Sequence, residues 1–283
     1  MTTPCEIQLY AKGKDDAIRV ARLIENNTRR LEKKYNFFSE NSFLTRLNTR
    51  TENHIEIDDE TRDVLSLVRV LSEKTQGLFD ITVGTLKQCS TLATVDEVES
   101  CRARLTPLIG PDSWEVKGNY IRFSNSEVKL DLGGVIKEYA VDQGGGIVRK
   151  ENIPALINFG GDIYVNDIKP DGSKFSVAIK NPNDTRQSIA ILQLANQGLT
   201  TSAHYERSTL VEGKKYSHII AKEADFNSPL KVNILSATVV SDSVLTSGIY
   251  STSLMIKPTL EVADDISVVL VDEQLRLHQN ISD

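Results

Sequence analysis

"VKLDLGGVIKEYAVDQ", residues 128–143, changes its period part-way, and that change decides what kind of fold the chain can form. Val128, Leu130 and Leu132 alternate with Lys129 and Asp131, the pattern of a half-buried strand ending at Gly133 and Gly134. Val135, Ile136, Tyr139 and Ala140 then recur at helical spacing. A strand is thus expected to feed a helix through a turn that glycine makes at little steric cost. Bare backbone is left beside a helix N-terminus, where free N–H groups and the helix dipole favour negative charge. The turn is either an anion site or only a tight turn. Lys137 in the helix is correspondingly either a surface charge or the counter-charge of a bound phosphate.

Upstream, Cys5, Ile7 and Leu9 alternate as a first strand, and a helix is expected from about Asp15, with Ala17, Ala21, Ile24, Thr28, Leu31 and Tyr35 on its inner face. "FFSENSFLTRLN" reads as a polar turn region, more apolar than a loop needs to be. A second helix has Asp58 or Asp59 as cap, Val64, Leu67, Val68 and Leu71 as its buried stripe, and Gly77 just past its end. Residues 90–106 suggest another helix. Downstream the chain is strand-rich: "WEVKGNYIRF" looks like a hairpin, "PALINFGGDIYV" a strand broken by Gly160-Gly161. Further strands fit "KFSVAIK", "SIAILQL", "YSHII", "ILSATVV" and "ISVVLV". Helices lie between hairpins and not after every strand, which favours an α+β fold, in one domain over 1–283, above a doubly wound sheet.

The 283 residues are 40% hydrophobic and 25% charged, the composition of an ordinary globular protein. A net charge of −6 and the lack of any Lys/Arg run argue against a nucleic-acid surface. Cys5, Cys89 and Cys101 are odd in number and lack metal-ligand or CxxC spacing, so they read as buried thiols with no disulfide framework. "MTTPCEIQLYAKGK" has neither a basic start with an apolar run nor a spanning helix, so a cytoplasmic chain is expected as the sequence stands, periplasmic if a leader has been removed.

In "SATVVSDSVLTSGIY" a β-branched strand runs into a helical pattern. Asp242 and Thr246 are four apart and, if helical, lie one turn from each other. A carboxylate beside a hydroxyl suits a hard cation such as Mg²⁺, whose remaining positions go to water and substrate phosphate. The alternative is an N-cap aspartate with a threonine one turn on. His218 is a single histidine in an apolar strand, either a satisfied core side chain or a functional one. His54 and His204 lie in polar stretches. "GLFDITVG" sets Phe79 and Asp80 in apolar surroundings, where a carboxylate needs a partner or a function.

Taken in order, "MTTPCEIQLY", "SFLTRLN", "GLFDITVG", "LDLGGVIKEYAVD", "LINFGGDIYV", "TSAHYER", "SHII" and "SDSVLT" resemble the ApbE family of FAD:protein FMN transferases along nearly the whole chain. The resemblance implies mixed or antiparallel sheets with flanking helices. It also implies Mg²⁺-dependent transfer of FMN from FAD to a Thr or Ser of a partner flavoprotein, with release of AMP. By matching position it implies that Asp242, Thr246 and the carbonyl of Gly134 bind Mg²⁺. Met1, Phe38, Leu78, Phe79, Asp80, Asp131, Lys137 and Ile220 would contact FAD, and His218 would deprotonate the acceptor hydroxyl.

Such chemistry is physically coherent, because splitting a pyrophosphate requires its charge neutralised and the attacking oxygen held in line. Several positions depart from the family pattern. Glu138 replaces a glycine, Ala203-His204 replaces Gly-Asp, and "HIIAKEADF" lacks the Asp-Pro and Thr-Gly that follow the histidine. No tryptophan-containing segment follows "GLFDITVG", and Gly144-Gly145-Gly146 opposes the helix expected there. An FAD pyrophosphatase and a non-catalytic FAD-binding protein are therefore the alternatives to a transferase.

Overall fold

Gly133 opens a helix that runs to Lys150, as the periodicity requires, but the stretch before it joins no sheet. Val128, Leu130 and Leu132 are buried as expected, while their backbone is bonded to separate partners. Leu130 N–H donates to Asn48 Oδ1 and Leu130 O accepts from Asn48 Nδ2, each at 2.8 Å. Lys129 N–H donates to Thr85 Oγ1 at 3.0 Å and Asp131 N–H to the Ile81 carbonyl at 2.7 Å. The strand expected over 128–132 is thus an extended segment without a ladder. Alternation reports which side of an extended chain is buried, whereas the backbone needs only some partner for each group.

The computed structural model describes residues 3–203, 208–212, 214–217 and 233–280. In chain order the elements begin with β1 (Cys5–Leu9), α1 (Lys14–Tyr35), α2 (Phe43–Asn48), β2 (His54–Glu56) and α3 (Asp59–Lys74). A 3₁₀ run over Ile81–Thr91 precedes α4 (Val95–Leu105), β3 (Trp114–Lys117) and β4 (Tyr120–Phe123). Then come α5 (Gly133–Lys150), β5 (Ala155–Phe159), β6 (Asp162–Asn166), β7 (Phe175–Asn181), β8 (Asp184–Leu194) and β9 (Gln197–Ala203). The last are β10 (Ser208–Val211), β11 (Lys214–Ser217), β12 (Ile234–Ser241), α6 (Val244–Ile256), β13 (Ser267–Asp272) and β14 (Leu277–Asn280). The described residues divide into two compact units. One draws on Met1–Lys33, Gly134–Ala203 and Asn227–Asp283, the other on Lys34–Gly133 and His204–Phe226.

The first unit is built on a seven-stranded sheet in the order β1-β5-β6-β9-β12-β13-β14. Every pairing in it is antiparallel, as the α+β reading expects. Two glycines of its triplet are helical against propensity because neighbouring side chains occupy the space their own would need. A Cβ on Gly145 would fall 2.6 Å from the Tyr164 ring, and one on Gly144 3.0 Å from Ile157 Cδ1 and 3.3 Å from Ile24 Cγ2. Gly146 faces open space, and nothing in the packing explains it. Each helical glycine costs about 1 kcal/mol relative to alanine. Burial of Val135, Ile136, Val141 and Val148 on the same helix, at about 1.5–3 kcal/mol for each such side chain, outweighs that cost.

The second unit carries the three-stranded sheet β2-β4-β3 and the β10–β11 ribbon. Asp58, one of the two expected caps, opens α3 by accepting Thr61 N–H at 2.9 Å. Gly77 follows its end with φ +74, the left-handed conformation in which its N–H reaches the Ser72 carbonyl. Leu67 does not belong to the buried stripe. It is 42% exposed, and Leu65 is buried instead. The supposed polar turn contains α2, capped by Ser42. The cysteine reading is corrected as well: Cys89 and Cys101 form a disulfide with Cα atoms 5.7 Å apart, and Cys5 is exposed on β1. The 3₁₀ run and α4 fold back on each other around Leu86, Leu105 and Ile109, which brings together cysteines whose spacing carries no such signal.

Asp272 closes the turn between β13 and β14. Burial opposes its ionisation, but hydrogen bonds from His278, Arg276 N–H and the Arg276 side chain outweigh it and hold the carboxyl well below the usual range. A depressed folded-state pKa contributes stability that is present above the unfolded value, about 4, and lost as pH falls through the folded one. Melting temperatures of wild type and Asp272→Asn are therefore expected to differ most near pH 6 and to converge as pH falls from about 4 to about 2. A gap that stays constant over that range would contradict the assignment.

Candidate active site

In the second unit the residues matched to FAD contacts sit around the 3₁₀ run. Asp80 caps it, accepting Thr82 N–H at 2.8 Å and Thr82 Oγ1–H at 2.6 Å, so this carboxylate has the partner that its apolar setting demands. Phe79 O accepts from Ser72 Oγ at 2.7 Å. Beside them opens a cavity of about 420 Å³ lined by Ser72, Gly77, Leu78, Asp80, Val83 and Gly110. Gly84 brings the run against the segment before α5, because a Cβ there would meet Asp131 N at 2.6 Å. Asp131 Oδ1 in turn accepts Gly133 N–H at 3.0 Å, and Oδ2 is 2.6 Å from Lys87 Nζ. Phe38 is 84% exposed, an unusual state for a large apolar ring.

In the first unit the residues gather at the starts of α5 and α6. Lys137 Nζ lies 2.5 Å from the buried carboxylate of Asp162, the first residue of β6. Glu138, the side chain in place of the family's glycine, turns inward and is 5% exposed, with Oε2 making no hydrogen bond among the described residues. Burial and the charge of Asp162 push its carboxyl well above the usual range against the pull of Lys137. It fits because residue 248 is glycine: a Cβ there would stand 2.9 Å from Glu138 Cγ.

Asp242 and Thr246 are not one helical turn apart. Asp242 is exposed in the bend after β12, α6 starts at Val244, and its cap is Ser243. Ser243 Oγ accepts Thr246 N–H at 3.2 Å and donates to Thr246 Oγ1 at 2.8 Å. Asp142 from α5 takes the next two free donors, Val244 N–H at 2.7 Å and Leu245 N–H at 2.9 Å. Burial is the main cause that raises the Asp142 carboxyl to about 6; the two N–H donors oppose it and the nearby Asp242 charge adds to it. Among the described residues no group of three or more His, Cys, Asp and Glu side chains is placed to hold a metal. The oxygen donors at the starts of the two helices are the Asp242 carboxylate, the second lone pair of Thr246 Oγ1 and the carbonyl of Gly134. This is hard oxygen chemistry, and it fits a Mg²⁺ that keeps several non-protein ligands. Met1, His204, His218 and Ile220 lie outside the described residues.

The model of the ApbE family matches residues 1–267. The chain belongs to the ApbE family. An FAD:protein FMN transferase of Buchnera aphidicola subsp. Schizaphis graminum is 24% identical over 278 residues, covering 91% of this chain and 80% of that one. Two solved structures share the fold. The ApbE protein of Thermotoga maritima has a TM-score of 0.85 at 22% identity, covering 98% of this chain and 93% of that one. The flavin transferase ApbE from Vibrio cholerae has a TM-score of 0.82 at 22% identity, covering 100% and 94%. The family and the fold class expected from the ordered motifs are both borne out.

Three features of this ApbE-family chain escape a reading of its motifs. Asp162 stands in the quoted "FGGDIYV" but carries no helical or strand signal that pairs it with Lys137. Asp142 has a usable one: with Glu138 it forms an acidic i, i+4 pair on a helix face otherwise apolar. Lys87 lies between the quoted motifs "GLFDITVG" and "LDLGGVIKEYAVD" and belongs to neither. The close fit of Glu138 on Gly248 is testable by a double-mutant cycle. Gly248→Ala is expected to lose about 1–3 kcal/mol by overpacking, and Glu138→Gly to relieve most of that loss when combined with it. Urea unfolding of the four proteins reads the coupling, and strictly additive losses would rule out the contact.

Proposed function

We propose that this ApbE-family chain transfers FMN from FAD to a Thr or Ser hydroxyl of a partner flavoprotein, releases AMP and depends on Mg²⁺. Family membership over residues 1–267 carries the reading. It is supported by the hard-oxygen donors at the start of α6 and by a lysine in the first turns of α5, held by a buried carboxylate. In this reading the chain acts as one transferase domain over 1–283. Bound Mg²⁺ supplies Lewis acidity and neutralises pyrophosphate charge. Lys137 adds a point charge to the phosphates, and Asp162 fixes where its ammonium stands. Met1, Phe38, Leu78, Phe79, Asp80, Asp131 and Ile220 hold FAD. An imidazole nitrogen of His218 takes the acceptor's hydroxyl proton as the oxygen bonds to the FMN phosphorus and the bond to AMP breaks.

With FAD, Mg²⁺ and a protein bearing the acceptor hydroxyl, AMP release is expected together with an acceptor mass increase equal to FMN less one water, the difference between FAD and AMP. An ordered hydroxyl outcompetes water through its effective concentration. FMN and AMP released without acceptor would instead identify a pyrophosphatase, and FAD bound but never cleaved a binding protein. Asp242→Ala is expected to abolish the strengthening of FAD binding by Mg²⁺, because Asp242 is the sole anionic side chain among the proposed ligands. Titration of FAD with and without Mg²⁺ measures it, and an unchanged metal dependence would remove Asp242 from the site.

A further inference from the structure

Lys87 stands among residues assigned to FAD although it lies in none of the motifs that carry the family resemblance. Its ammonium is 2.6 Å from Asp131 Oδ2, 4.6 Å from the centre of the Phe37 ring and 5.6 Å from that of Phe38. The lysine is already ordered by the carboxylate and the aromatic face. Asp131 is ordered in turn, since its other oxygen holds Gly133 N–H. A cationic donor and an anionic acceptor thus stand side by side next to Phe38, a ring that is 84% exposed.

That combination matches the edge of a planar nitrogen heterocycle, which offers a face for stacking and a hydrogen-bond donor beside an acceptor. We propose that Lys87 is a ring-recognition residue. With Asp131 it reads a donor–acceptor edge of one of the two heterocycles of FAD, stacked on Phe38. Adenine presents its exocyclic amine beside a ring nitrogen, and isoalloxazine an imide N–H beside a carbonyl. In either case Asp131 accepts from the N–H and Lys87 donates to the neighbouring lone pair. The proposal rests on the reading of Asp131 and Phe38 as FAD contacts.

Equilibrium titrations of wild type, Lys87→Met and Lys87→Gln with FAD, FMN and ADP test it. Both variants are expected to bind FAD about 10- to 100-fold more weakly, the loss of one charge-assisted hydrogen bond. A similar loss is expected for one of FMN and ADP and not for the other, which identifies the ring. The ion pair is partly exposed, so circular dichroism melting should change little; Lys87→Gln carries the test if the methionine variant does not fold. Affinities within twofold of wild type for all three ligands would overturn the proposal, and equal weakening of FMN and ADP would reduce Lys87 to a general phosphate charge. If wild type binds no FAD, the functional reading falls first and this one with it.

Discussion

The seat of α5 on the seven-stranded sheet governs the first unit. Where Gly145 meets the Tyr164 ring and Gly144 meets Ile157, side chains of the sheet fill the space that a helix side chain would need. Close-packed interiors transmit such a constraint along the whole element. One helix consequently carries Lys137 to Asp162 at the start of β6 and Asp142 to the free N–H groups of α6. Gly198 repeats the device under α6, where a Cβ would stand 2.5 Å from the Ser243 and Val244 backbone. A small set of missing side chains thus sets the positions of the helix starts on which the proposed metal and phosphate contacts depend.

Periodicity made most of the fold legible. The inner face of α1, the cap of α3, the hairpin around Gly118 and the strands Phe175–Asn181, Ile234–Ser241 and Ser267–Asp272 are where local pattern puts them, whereas Gly160-Gly161, expected only to break a strand, turns the chain back as the β5–β6 hairpin. Pattern misled where burial and pairing part company. Residues 128–132 alternate because one side is covered, and an asparagine side chain takes the place of a neighbouring strand. Leu67 and Leu65 are both leucines on one helix, and only the neighbours around α3 decide which is covered. The glycine triplet argued against a helix because propensity counts the cost of glycine and cannot see the ring it accommodates.

The candidate site was legible as motifs and illegible as contacts. Asp242 and Thr246 were paired through an assumed helical turn, yet Asp242 precedes the helix, and a serine cap links the turn to Thr246. Glu138 read only as a departure from the family pattern. The structure gives it a companion in Gly248, and burial and the charge of Asp162 both disfavour its ionisation beside Lys137. Lys87 had no pattern to announce it, because its significance comes from residues far apart in sequence.

The Cys89–Cys101 bridge gives this chain a preparation history. It closes a short loop that begins in the 3₁₀ run following Leu78–Asp80 and ends on α4, and closing a loop of this size restricts the unfolded chain by roughly 3 kcal/mol. Material made where thiols stay reduced lacks that restriction and presents three thiols in place of one. Two samples of identical sequence can therefore differ in how firmly the segment carrying Lys87 is held, according to the oxidant each has met.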